Sequence, residues 1–223
     1  PTTINASSVR LGVVSQWHRA PMSADVRRGV ARFAEMASAA GVEVVEIDEP
    51  TLDVPPSVGV AYGPEIHAVH AGRLASHPER FGADTAARLA SASEGTVQDL
   101  LDAERWAASA RATVDRLTDD GITALVAPTV GVLEKAIGVD TVDVEGGTVP
   151  HRQALASFTA PINRLRLPSL AGPVSGTPRQ GVSVQLVGRA WSEADLLSVA
   201  GALEAIGVFE VSPPPIFSGQ TPE

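Results

Sequence analysis

The amino-acid sequence predicts an α/β fold, in which helices are layered on a β-sheet. Short runs rich in β-branched residues alternate with longer alanine-rich segments whose apolar residues recur at helical spacing. The 223 residues are 44% hydrophobic, which is enough to bury the core of one large domain or most of two small ones. We find no internal repeat and no low-complexity tract.

The opening of the chain predicts a strand, a helix and a second strand. Val9–Trp17 is a β-branched run that is typical of a buried strand. Ser23 and Asp25 offer capping groups for the start of a helix, and Gly41 suits its left-handed end. Val42–Ile47 then alternates like a strand with one solvated face.

After prolines at 50, 55 and 56, the middle of the chain predicts three alanine-rich helices and a buried strand. The helices are Tyr62–Arg73, Asp84–Ser93 and Thr96–Leu117. The longest carries an apolar stripe that faces a core, made of Leu100, Trp106, Ala110, Val114 and Leu117. Ile122–Pro128 is continuously apolar, as expected of a strand that is covered on both faces.

The last part of the chain begins with a long connection. Gly131–Pro150 is rich in glycine, and we interpret it as an irregular binding loop or mobile loop. Two strands, a helix capped by Ser192 and an extended tail follow: Leu170–Pro173, Val182–Val187, Ser192–Ile206 and the proline-rich segment from Val211.

Composition and charge exclude several classes of function. The net charge is −9 and there is no Lys/Arg cluster, so nucleic acid is not an expected partner. The absence of cysteine excludes disulfides, thiolate metal sites and a cysteine nucleophile. No apolar run approaches the roughly 20 residues of a membrane span, and the first residues lack the pattern of a secretory signal. We therefore expect a cytoplasmic protein, and the preference for arginine and alanine is typical of a GC-rich bacterial gene.

Motifs for nucleotide binding and for a serine elbow are missing. The only lysine, Lys135, lies in a segment unlike a P-loop, and no G-x-G-x-x-G follows the first strand. The segments around Ser93 and Ser175 lack the spacing of G-x-S-x-G, so we interpret both serines as turn or capping residues. Lys135 is interpreted as a surface cation in a loop rather than an activated base.

One alternative is a small metal site on the first of the three middle helices. His67 and His70 share a helix face with Glu65 one turn before them, and imidazole and carboxylate are reasonable ligands for zinc or iron. One helix supplies too few ligands. The pattern therefore favours polar residues on a helix surface over metal binding, and we predict no metal and no organic cofactor.

Two consecutive segments resemble the carboxy-terminal end of the amidase-signature family. They are FTAPINRLRLPSLAGPVSG (Phe158–Gly176) and GVSVQLVGRAWSEADLLSVAGALE (Gly181–Glu204). The family closes with a similar F-T-x-P-x-N phrase, a G-x-x-x-Q-L-V-G-R strand and a helix containing E-x-x-L-L. Upstream, Gly121–Thr129 is similar to the family's strand ending in Pro-Thr, and Glu65–Gly82 to its helix before an H-P-E segment.

The resemblance implies a mixed β-sheet covered by helices on both faces and the hydrolysis of a small carboxamide. Family members use a lysine, a serine held by a cis peptide bond and a nucleophilic serine, all carried in or before a glycine/serine-rich signature. No segment of this chain matches that signature, so we assign no catalytic residue. We expect residues 1–223 to be the carboxy-terminal portion of a single amidase-signature domain whose upstream half is missing, which agrees with the start at Pro1.

For the substrate pocket, the resemblance implies walls formed by loops after Thr129 and around Phe158–Asn163. We predict that Thr129, Phe158 and Ile162 bind the substrate, although packing is an equally valid role for the two apolar residues. Ala156 stands where the glutamine-dependent tRNA amidotransferase subunit has an acidic residue, so a general amidase is favoured. Arg164–Arg166 also replaces the usual x-x-Gly of the family phrase.

Two hypotheses for the function follow. In the first, the chain is part of an amidase, is inactive alone and needs an amino-terminal half or a partner chain. In the second, it is a non-catalytic binding or interaction module derived from such a half. A half-domain should leave apolar strands and helix faces uncovered, so the first hypothesis also predicts association, including a homo-oligomer.

Overall fold

A computed structural model of the chain describes residues 2–92, 95–177 and 181–210. Seven strands are present in this part of the chain: β1 (Arg10–Val14), β2 (Glu43–Ile47), β3 (Ala124–Pro128), β4 (Thr141–Val144), β5 (Gly147–Pro150), β6 (Ser169–Pro173) and β7 (Ser183–Val187). The helices are α1 (Ala24–Ala39), α2 (Ser57–Val60), α3 (Tyr62–Ser76), α4 (Ala83–Ser91), α5 (Val97–Asp119), α6 (His151–Leu165) and α7 (Glu193–Ala205).

The main sheet is mixed and has five strands in the order β2-β1-β3-β7-β6. β1 lies between β2 and β3 and is parallel to both, whereas β7 is antiparallel to its neighbours β3 and β6. All five residues of β3 are buried, as its continuous apolar sequence predicted. The predicted strands at Val42–Ile47, Leu170–Pro173 and Val182–Val187 are confirmed to within one residue.

Helices cover both faces of the sheet. On one face, α1 and α7 pack through residues such as Phe33 and Leu203. On the other, α5 and α6 pack through residues such as Val114 and Leu165. The predicted α/β class, with a mixed sheet between two helical layers, is therefore confirmed. In the described part of the chain, no helix combines the length and apolar character needed to cross a membrane.

Local signals placed most helix ends correctly. The Ser23 hydroxyl accepts a hydrogen bond from the Val26 amide at the start of α1, and Gly41, after its end, has a φ of +91°. Thr96 forms a capping box with Asp99 at the start of α5. At α7 the prediction was wrong in detail, because the Ser192 hydroxyl donates to the Arg189 carbonyl instead of capping the helix.

Several other expectations need correction. The predicted first strand is shorter, since a 3-10 turn over Trp17–Arg19 replaces its end, and the short helix α2 was not predicted. Gly131–Pro150 is not irregular throughout, because β4 and β5 form a hairpin around Glu145 and Gly146. Gly146 has a φ of +89°, and a glycine pair between two β-branched runs is the signal that would have indicated this turn. The end of the second predicted middle helix at Ser93 and the tail from Val211 lie outside the described residues.

The segment Phe158–Asn163 was expected to be a loop but lies inside helix α6. Pro161 is in this helix and deprives it of one backbone hydrogen bond, which locally disfavours helix. The helix nevertheless continues, because Phe158, Ile162 and Leu165 bury their side chains against the core. It ends at Arg166, which has a left-handed φ of +55°.

Candidate active-site cavity

The candidate site lies beside the carboxyl ends of two parallel strands. β1 is followed by Gln16 and Trp17, and β3 ends at Ala127 and Pro128. Because β1 and β3 are parallel neighbours, these ends lie at the same edge of the sheet. A cavity of about 1030 Å³ opens there, between this edge, α6 and the segment that carries α2, α3 and α4. Ligands commonly bind at this position in α/β proteins.

The inner wall of the cavity is mainly apolar. Phe158 and Ile162 are only 3% and 4% exposed, and both line the cavity. Other lining residues on this wall come from α2, α3, β3 and α6: Val58, Tyr62, Ala127 and Pro161. Such a wall suits an apolar or aromatic group of a small ligand.

Thr129 does not lie among the residues that line the cavity. Its amide donates to the Ser183 carbonyl, and its buried hydroxyl has no hydrogen-bond partner within the described residues. The role of Thr129 in binding stays a prediction, and so do the roles of Phe158 and Ile162.

Gln185 links the end of β3 to helix α6 through hydrogen bonds of its side chain. Its side chain is 4% exposed, and its amide nitrogen donates to the carbonyls of Pro128 and Phe158, at 2.9 Å each. Its amide oxygen accepts a hydrogen bond from the Ser169 hydroxyl at 3.0 Å. The glutamine of the Q-L-V-G-R phrase therefore fixes the end of β3 against α6, and the position of Phe158 depends on it.

Gln16 and Trp17 line the cavity but were not recognised from the sequence as site residues. The Gln16 oxygen and the Trp17 indole nitrogen are buried and have no hydrogen-bond partner in the described part of the chain, while the Gln16 amide nitrogen donates to Asp48. The signal that could have identified them is their position directly after an apolar strand of a parallel pair.

Arg164 is the centre of an ion cluster behind the cavity wall. The Arg164 side chain is 3% exposed, and it pairs with Glu104 at 2.9 Å and with Glu65 at 3.1 Å. Its guanidinium lies over the Tyr62 ring, 4.3 Å from the ring centre, and the Tyr62 hydroxyl donates to the Ala160 carbonyl. Burial raises the pKa of Tyr62, so the phenol stays protonated as a donor at neutral pH. The cluster connects α3, α5 and α6 around the cavity.

Neither metal binding nor lysine chemistry gains support from the geometry. Glu65, the third member of the possible metal site, is held by Arg164. Within residues 2–92, 95–177 and 181–210, no three His, Asp or Glu side chains are grouped to hold a metal ion. The Lys135 amine donates to the carbonyl of the next residue, Ala136, at 3.5 Å.

His18 lines a second, smaller cavity beside β1 and β2. Burial lowers the pKa of His18, nearby Arg27 lowers it further, and Glu46 offsets part of the change. The folded protein therefore keeps His18 neutral at a pH where the unfolded chain, with an ordinary pKa of about 6.5, takes up a proton. The unfolding free energy should consequently fall as the pH drops below about 6.5.

We expect His18→Gln to remove the pH-dependent contribution of His18 to the unfolding free energy. Urea unfolding at a series of pH values from 7 to 5 should show a flatter loss of stability on acidification than in the parent protein. His67→Gln, which removes an exposed imidazole from α3, is the matched control. An equally steep loss of stability in the His18 variant would contradict this account.

Comparison with known proteins identifies relatives over most of the chain. The amidase family model matches residues 1–197. The 1-carboxybiuret hydrolase subunit AtzE of Pseudomonas sp. (strain ADP) is 25% identical over 205 residues, which are 91% of this chain and 44% of that protein. A fatty acid amide hydrolase of Medicago truncatula is 32% identical over 87 residues, 38% of this chain and 14% of its own length.

Solved structures give the same result. The crystal structure of an amidase matches with a TM-score of 0.74 and 25% identity, over 92% of this chain and 47% of that one. A bacterial aryl acylamidase of the amidase-signature family has the same fold, with a TM-score of 0.67 and 15% identity over 92% of this chain and 46% of its own. The chain thus spans less than half the length of each of these relatives. Because the family model matches most of its residues, the chain belongs to the amidase-signature family of hydrolases.

Proposed function

We propose that this chain forms the carboxy-terminal half of an amidase-signature domain that hydrolyses a small carboxamide. The cavity of about 1030 Å³ at the carboxyl ends of β1 and β3 carries this proposal, because it is large enough for a small amide. Its apolar wall at Phe158 and Ile162 would contact the acyl group of the substrate.

The chemistry is assigned to residues outside this chain. A neutral lysine would deprotonate a serine held by a cis peptide bond, and this serine would take the proton of a nucleophilic serine. The nucleophile's oxygen would then bond to the amide carbon, the C–N bond would break, and the protonated amine would leave. Water would hydrolyse the resulting acyl ester and release a carboxylic acid.

The exposed surfaces of α3 and α4 support the proposal that a second half of the enzyme contacts this chain. Among the described residues, neither α3 nor α4 has a buried residue, although both have apolar side chains. Val69 on α3 is 69% exposed, and Val97 at the start of α5 is 68% exposed. Surfaces of this kind are usually covered by another chain segment or a partner protein. We propose that the amino-terminal half of the enzyme contacts the exposed surfaces of α3, α4 and the start of α5.

The first experiment is an intact-mass and activity measurement on the natively expressed protein, with a panel of aliphatic and aromatic amides. We expect a mass near twice that of this chain, or a complex of two chains, and hydrolysis that is lost after treatment with a serine-directed inactivator. Mass spectrometry of the labelled protein should place the modified serine outside residues 1–223.

Two outcomes would overturn the proposal. A protein with the mass of this chain alone that hydrolyses no amide would favour the non-catalytic binding module. Labelling of a serine within residues 1–223 that abolishes hydrolysis would show that the catalytic group lies in this chain, and the assigned mechanism would be wrong.

A further inference from the structure

The rim of the cavity has a charge opposite to that of the chain as a whole. The net charge of the protein is −9, yet among the described residues the charged side chains that line the cavity are three arginines and one acid, which gives this part of the lining an excess of two positive charges. The three arginines come from segments far apart in the sequence: Arg19 from the turn after β1, Arg88 from α4 and Arg152 from α6. Such a concentration of one sign favours an anionic ligand.

Within the described ranges, Arg19 alone of these three arginines has a carboxylate partner. Arg19 pairs with Asp53 at 3.1 Å, and Asp53 is the single acid in the cavity lining. Arg88 and Arg152 form no ion pair within the part of the chain that the structure describes. Several arginines elsewhere, such as Arg10 and Arg105, pair with carboxylates, whereas Arg73 has no ion pair among the described residues. The described part of the cavity rim thus offers two guanidinium groups that no described carboxylate neutralises.

The arrangement along α6 separates the apolar wall from the cationic rim. Arg152 is exposed in the first turn, whereas Phe158 and Ile162 are buried further along the same helix. With a rise of 1.5 Å per residue, Arg152 lies about 9 Å along the axis from Phe158 and about 15 Å from Ile162. A ligand bound along this wall would therefore meet apolar side chains at its inner end and the Arg152 guanidinium at its outer end.

The start of α6 adds to the positive potential at the rim. Its first turn contains no acidic residue, and no side chain caps it, since Pro150 precedes the helix. The positive end of the helix dipole therefore stays uncompensated by side chains beside Arg152. Arg88 lines the same cavity from the last turn of α4, so two helices bring guanidinium groups to this cavity.

We infer that the cavity selects a carboxamide whose acyl group ends in a carboxylate, with the apolar spacer against Phe158 and Ile162 and the carboxylate held by Arg88 and Arg152. This inference rests on the proposed function and specifies its substrate class. It makes Arg88 and Arg152 determinants of specificity that touch the substrate without taking part in bond cleavage.

Calorimetric binding of two matched amides to the natively expressed protein tests the inference. The probes are 4-carbamoylbenzoate and its neutral analogue benzene-1,4-dicarboxamide, which differ only in the group that would meet the arginines. We expect the anion to bind about tenfold more tightly at low salt, and the preference to shrink as the salt concentration rises. Arg88→Gln and Arg152→Gln should each lower affinity for the anion severalfold more than they lower affinity for the neutral amide.

Arg73→Gln is the matched control, because Arg73 is an exposed arginine of α3 that does not line the cavity, and it should keep the preference. Equal affinities for the two probes, absence of binding by both, or an unchanged preference in the Arg88→Gln/Arg152→Gln variant would overturn the inference. Hydrolysis of neutral amides without any preference for the anion would do the same, while leaving the proposed amidase function intact. If the natively expressed protein showed the binding preference but hydrolysed no amide, the result would instead contradict the proposed function.

Discussion

Replacing Gln185 by methionine should lower the free energy of unfolding by about 2–4 kcal/mol. Methionine keeps the approximate shape of the side chain but removes the amide nitrogen that donates to the carbonyls of Pro128 and Phe158. Gln185 is 4% exposed, so water cannot readily replace the lost donor. Each buried carbonyl left without this partner costs about 1–3 kcal/mol. Urea denaturation of parent and variant measures the difference.

Two further variants sharpen the interpretation of Gln185. Ser169→Ala removes only the hydrogen bond to the Gln185 oxygen and should cost less than about 1 kcal/mol. Gln185→Glu places a carboxylate opposite two carbonyl oxygens, so the folded state should favour the protonated acid. The loss of unfolding free energy in Gln185→Glu, relative to the parent protein, should therefore increase as the pH rises through the range in which a glutamate ordinarily ionises. A Gln185→Met protein as stable as the parent would show that the carbonyls find other donors.

The hydrogen bonds of Gln185 should also affect the binding of substrate. Phe158 lines the apolar wall of the cavity, and the same amide nitrogen holds its carbonyl to the end of β3. We therefore expect Gln185→Met to weaken the binding of aromatic amides more than Ser169→Ala does. This result would connect a residue of the family phrase with the shape of the cavity, although Gln185 itself does not line it.

Replacing Phe33 by alanine should lower the free energy of unfolding by about 3–5 kcal/mol. The ring is fully buried between α1 and the sheet, and it stacks on Phe209 with ring centres 5.6 Å apart. Removing it leaves a cavity in the larger of the two main cores, which the surrounding side chains fill only in part. Phe33→Leu, which retains much of the volume, should cost about 1–2 kcal/mol.

A double-mutant cycle of Phe33 and Phe209 measures their direct interaction, for which we expect about 0.5–1.5 kcal/mol beyond burial. Phe209 is confined on its other side by Gly172, where an added Cβ would lie 2.6 Å from the ring. A loss below about 2 kcal/mol for Phe33→Ala would mean that this core rearranges to fill the space.

Much of the architecture could be predicted because its signals are local. The apolar run of β3 and the capping serine and threonine before α1 and α5 each specify an element through neighbouring residues. The family also followed from the sequence, since the F-T-x-P-x-N and Q-L-V-G-R phrases are contiguous. These features by themselves determined the α/β class, most of the strands and the membership of the amidase-signature family.

Only the tertiary structure decided which residues share the cavity. Pro161 and its neighbours locally favoured a loop, but burial of one face of α6 against the sheet outweighs the hydrogen bond that proline removes. Arg88 and Arg152 are 64 positions apart in the sequence, so no spacing rule relates them. Both line one cavity because helices from distant parts of the chain pack around the carboxyl ends of β1 and β3. Arrangements of this kind depend on long-range packing, which local periodicity and capping signals do not encode.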